Sequence, residues 1–158
     1  MAIIFSLSVG TKSMAESVGT IELPISVDPG YYVVKYVRHE TLLLRDEIEK
    51  LVIYFGIIEG QFEGFEIPCY YNVKIDRPPR ALGRFDAGRN SKFTRHYLTL
   101  LGRPKRSNEV TPSHFKGLRL LCEIRDTERD WDKNAMHKNC QYSVIHNLIE
   151  VLPDTADE

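Results

Sequence analysis

At 158 residues the chain is long enough for one domain with its own core, and its 42% apolar and 27% charged content argues against a disordered, fibrous or membrane-spanning protein. The net charge of −1 hides an uneven layout: Asn72 to Leu120 holds 12 basic and 3 acidic residues, a local +9 that leaves −10 elsewhere. A basic stretch in an otherwise acidic chain points to a surface facing an anionic partner, although a solvated Arg-rich loop would give the same composition.

Residues 1–30 read as a lead-in or extension. The apolar opening Ala2 to Val9 is too short to span a bilayer and lacks a basic leader, so it is taken as a strand or an added segment. Met14 opens an alternative start, which would leave residues 1–13 outside the functional domain. Three cysteines, Cys69, Cys122 and Cys140, are too few and too odd for a disulfide framework, so a reducing, cytoplasmic setting is expected. Pro24 to Gly30 ends the lead-in on a turn.

The domain then runs over 31–152. Tyr31 to Arg38 is β-branched and aromatic, as a strand should be, and residues 39–50 read as a charged connection. Leu51 to Ile58 is an apolar run of strand length, buried on both faces, in which Gly56 marks a bulge. The turn Gly60 to Gly64 leads into a third strand, Phe65 to Ile75, whose alternation sends Ile67, Cys69, Tyr71, Val73 and Ile75 inward and Tyr70, Asn72 and Lys74 outward. Pro68, which cannot donate to a ladder, belongs at a bulge or an edge.

Residues 76–90 form a long basic loop. A helix follows, capped by Asn90 or Ser91, with Phe93, Tyr97 and Leu100 or Leu101 at helical spacing and Gly102 with Pro104 as its stop. A second basic loop, Arg103 to Gly117, leads to a strand over Leu118 to Arg125. Residues 126–140 are a charged loop, Tyr142 to Val151 a last strand, and 153–158 an acidic tail. Three strands, a helix and two strands is the element order of the oligonucleotide/oligosaccharide-binding fold, a five-stranded, partly open barrel. The expected class is therefore mainly β with one helix, an OB-like barrel with the helix between strands 3 and 4.

Gly30 to Val34, the hairpin Leu51 to Gly64 and the later Phe115-Lys116-Gly117 resemble single-stranded DNA-binding proteins of phages and mobile elements over roughly Gly30 to Val151. The resemblance implies a barrel that coats single strands during replication or recombination, with an acidic tail for partner enzymes. Here the tail is short and has no terminal apolar residue.

Single strands need cations along the backbone and flat side chains for the bases. The basic candidates are Lys74, Arg77, Arg80, Arg84, Arg89, Lys92, Arg95, Arg103, Lys105, Arg106, Lys116 and Arg119, with Tyr70, Phe85 and His96 interleaved and Trp131 in the last loop. Tyr70 either offers a stacking face or packs on the loop that follows. Because the connection 39–50 and the loop 126–140 are rich in carboxylates, the bound strand is expected over the helix side and not between those loops.

The sequence carries no nucleophile–base arrangement, no phosphate loop and no metal-ligand spacing, so neither catalysis nor a cofactor or metal is expected. His137, Cys140 and His146 with Cys122 or Cys69 fit no zinc pattern, and buried cysteines acting as small apolar groups are the simpler account. The expected function is binding of single-stranded DNA or RNA with little sequence preference. The alternative is a protein-interaction module from a mobile element, such as an inhibitor of a host defence complex. No membrane partner is expected; a homodimer and a protein partner are both open.

Overall fold

The computed structural model describes residues 16–154. The strand expected in residues 2–9, the alternative start and the end of the acidic tail lie outside them. Strands β1 (Gly30–Leu44), β2 (Ile48–Ile57) and β3 (Glu66–Asn72) form a meander. Short strands β4 (Lys74–Ile75) and β5 (Phe85–Asp86) precede helix α1 (Lys92–Leu101), and β6 (Arg119–Asp126) and β7 (Ser143–Leu152) complete the fold. The five long strands make one antiparallel sheet in the order β3-β2-β1-β6-β7, and β4 and β5 pair separately.

The connection expected over residues 39–50 is instead strand and turn. β1 runs on to Leu44, and Arg45 and Asp46, at φ of 53° and 61°, make a tight reversal into β2. The irregularity near Gly56 belongs to β1: the register slips between Tyr36 and Arg38, leaving Val37 as the extra residue. A Cβ at Gly56 would lie 3.3 Å from the Val37 Cγ2, so glycine lets the two strands approach there.

The expected alternation in β3 and β4 holds, with Ile67, Cys69, Tyr71, Val73 and Ile75 all buried, and Pro68 sits in a terminal strand of the sheet. They pack with Leu51, Ile53 and Phe55 of β2, Leu120, Cys122 and Ile124 of β6, and Ile145 and Leu148 of β7. Cys69 and Cys122 are free and buried, and burial pushes the Cys122 thiol up to about 12; Cys140 is exposed, against the expectation that the cysteines are buried. The lead-in is partly core, since Val27 is buried and its N–H donates to the Ser143 Oγ at 2.8 Å. No described helix is long and apolar enough to cross a membrane.

Helix α1 begins and ends where its caps dictate. The Ser91 Oγ accepts from the Thr94 N–H at 3.2 Å, and Gly102, at φ 83°, donates its N–H to the Leu98 carbonyl. The helix seats Phe93, His96 and Tyr97 against the sheet. Although β3 and β7 stand at opposite ends of the strand order, the sheet curls until their Cα atoms approach within 8 Å, yet no ladder joins them and the described residues form no closed barrel.

A side-chain chain crosses that gap. His96 Nδ1 lies 2.8 Å from the Tyr71 hydroxyl of β3, and His96 Nε2 lies 2.8 Å from Asn147 Oδ1 of β7. The partners fix the tautomer: the neutral ring accepts from the Tyr71 O–H and donates Nε2–H to the amide oxygen. Burial, first, and the nearby Lys92 and Arg95 push the His96 pKa down to about 4, against an opposing pull from Asn147. The unfolded chain therefore binds this proton near pH 6.5 and the folded chain only near pH 4. The stability held by neutral His96 is complete above pH 6.5 and falls as the pH drops towards 4, by up to about 3 kcal/mol. Urea midpoints taken across that window should decline in the native protein and less steeply in His96→Gln, where His39 and His146, also held below their usual pKa by burial, keep part of the slope; parallel curves would exclude this titration as the cause.

Candidate nucleic-acid interface

Cross-strand register defines the outer face of the meander. Arg38, Tyr54 and Pro68 form one row across β1, β2 and β3; Glu40, Val52 and Tyr70 form the next; Leu42, Lys50 and Asn72 form a third. The loop between β6 and β7 lays Trp131 onto this face, its ring 5.4 Å from that of Tyr70 and nearly perpendicular to it, at 81°. Such a pair uses the edge of one ring and the face of the other. The Arg38 guanidinium stacks 3.7 Å above the Tyr54 ring, and the Lys50 Nζ lies 4.9 Å from the centre of the Trp131 ring.

Charge gathers at the Trp131 end. The Lys50 ammonium is pushed below its usual pKa by burial and then by repulsion from Lys133, two residues beyond Trp131, and from Lys92, whose Nζ lies 5.4 Å from the centre of the inward-facing Tyr71 ring. At the other end Arg38 is shared between Glu40 at 3.3 Å and Glu66 at 3.9 Å. Tyr70 is half-buried, and its hydroxyl is pushed up to about 12 by burial and by Tyr142, Tyr54 and Glu40. Its ring packs on the Trp131 loop, not on the loop that directly follows β3.

Two carboxylates of the last loop have local work. Asp130 Oδ1 accepts the N–H groups of Asp132 and Asn134, both at 2.9 Å, and Asp132 pairs with Arg45 of the β1–β2 turn. The two loops expected to repel a ligand are thus tied to one another, and they flank the aromatic face.

Other expected site residues scatter. Phe85 is not a stacking residue; its ring lies 5.3 Å from Phe93 and packs towards the core. His96 is buried in the chain of hydrogen bonds across the gap. Arg119 is largely covered, donating to the Pro153 carbonyl at 2.7 Å and pairing with Glu59. Arg77 pairs with Glu49, Arg80 with Asp76, and Arg95 donates to the Asn90 carbonyl at 2.9 Å. Lys74, Arg106 and Lys116 are exposed. Arg84, Arg89, Arg103 and Lys105 do converge, around a separate cleft beside α1. Of the expected residues only Tyr70 and Trp131 gather on the sheet face, and Lys92 lies instead over the inward-facing Tyr71 ring, while Arg38, Lys50, Tyr54 and Lys133 join the pair unanticipated. The missed signal was period: Lys50, Val52 and Tyr54 fall on the same face of β2 once the strand is carried back to Ile48.

No family model, curated protein or solved structure matches this chain.

Proposed function

We propose that the protein binds single-stranded nucleic acid across the outer face of β1, β2 and β3. The observation that carries this reading is the pair of rings Tyr70 and Trp131 meeting Lys50, with Lys133 in the same loop as Trp131: flat surfaces for bases beside cations for phosphates. An OB-like fold agrees with the strand order β3-β2-β1-β6-β7, with α1 between the third and fourth long strands and with β3 curled to β7. The sequence resemblance to phage single-stranded DNA-binding proteins points the same way. The strand path so proposed runs over the sheet face, not over the helix side.

Fluorescence anisotropy with labelled single- and double-stranded oligonucleotides tests the reading. Affinity for the single strand should exceed that for the duplex and fall with salt, by about 0.7 log units per log unit of salt for each phosphate neutralised. Two lysines beside the rings, Lys50 and Lys133, set an expected slope of about −1.4. Binding that ignores salt, or no binding at low salt, would overturn the proposal and favour a protein partner.

A further inference from the structure

The cleft beside α1 is a different environment from the sheet face. It encloses about 780 Å³ between the segment 82–89, the helix and the loop 103–112, a volume within the usual range for small-molecule sites of about 300–1,000 Å³. Phe85, Val110 and the buried Phe93, Tyr97 and Pro112 form its apolar floor. Arg84, Arg89, Arg103 and Lys105 stand around it, against one lining carboxylate, Asp86. Among the described residues none of these four cations makes an ion pair, whereas Arg38, Arg45, Arg77, Arg80, Arg119 and Arg125 all do. Four exposed cations around one concavity leave its rim positively charged, a field that an anion neutralises.

We propose that this cleft is a second binding site, which takes a nucleotide by its terminal phosphate. Several guanidinium groups around one concavity suit the clustered charge of a phosphate better than the separated charges of an acidic peptide, and the volume leaves room for the nucleoside behind it. Two sources carry that chemistry: a free nucleotide, and the phosphorylated 5′ end of an oligonucleotide. The site does not depend on the sheet-face reading, because it shares none of Tyr54, Tyr70 or Trp131.

Isothermal titration at low salt with ATP, and with a thymidine dinucleotide carrying or lacking a 5′-phosphate, tests the proposal. The native protein should bind ATP, or the phosphorylated dinucleotide more tightly than its unphosphorylated form; the first result identifies a free nucleotide as the ligand and the second a strand end. Binding should weaken at least tenfold in Arg89→Glu/Arg103→Glu and persist in Tyr70→Ala/Trp131→Ala. Leu98→Trp, which adds bulk at an exposed position lining the cleft, should weaken binding without altering charge. Absence of binding by both ATP and the phosphorylated dinucleotide, equal binding with and without the 5′-phosphate in the absence of ATP binding, or loss confined to the Tyr70/Trp131 variant would overturn the proposal.

Discussion

Replacing both Tyr70 and Trp131 by alanine should lower affinity for single-stranded oligonucleotides by at least about thirtyfold, while the protein stays folded. Stacking of one base on one aromatic ring is worth about 1–3 kcal/mol, and each 1.4 kcal/mol is tenfold in affinity. The two rings touch, 5.4 Å between centres, so their separate losses will not simply add. Trp131→Ala alone should cost about tenfold, and Trp131→Phe, which keeps a flat face, should recover much of it. The chain has one tryptophan, so its fluorescence reports the site directly: titrating a strand should quench it in the native protein. Unchanged affinity in the double variant would remove the sheet face from the reading.

The largest expected loss of stability comes from Phe93→Ala, about 3–5 kcal/mol in a urea titration. Phe93 is buried, with its ring 5.4 Å from Tyr71, 5.3 Å from Phe85 and 6.0 Å from Tyr97. Its neighbours come from β3, β5 and α1, and a backbone already held by two ladders and a capped helix cannot collapse fully into the void. Phe93→Leu keeps most of the volume and should cost about half as much or less. A loss under about 1 kcal/mol in the alanine variant would mean that α1 is held by its caps and its hydrogen bonds to β3 and β7, and not by this ring.

How far the residues disclose these arrangements depends on the range of the cause. Ile67, Cys69, Tyr71, Val73 and Ile75 were legible because alternation is local, and α1 because Ser91 and Gly102 announce its ends. The far half of β1 was not, since its reversal uses Arg45 and Asp46 at positive φ in place of an Asn-Gly pair, and its charges read as a loop. Tyr70 and Trp131 could be proposed singly, but 61 residues separate them and only the folded sheet brings them together. Phe85 and Arg119 failed as surface residues for the same reason: the groups that cover them, Phe93 for one and Glu59 with Pro153 for the other, are set by tertiary pairing.

The uncompleted seam between β3 and β7 bears on solubility. Edge strands present unpaired N–H and C=O groups that recruit other chains, and a closed barrel removes the hazard by pairing them. Here two edges shelter each other through proximity and through the Tyr71–His96–Asn147 chain, without sharing a ladder. Once acid charges His96, its Nδ1 must donate to the Tyr71 hydroxyl in place of accepting from it, so the link between the two edges has to rearrange. Self-association through the two strand edges is therefore expected to rise over the same low-pH range as the loss of stability, which light scattering between pH 6.5 and 4 would reveal or refute.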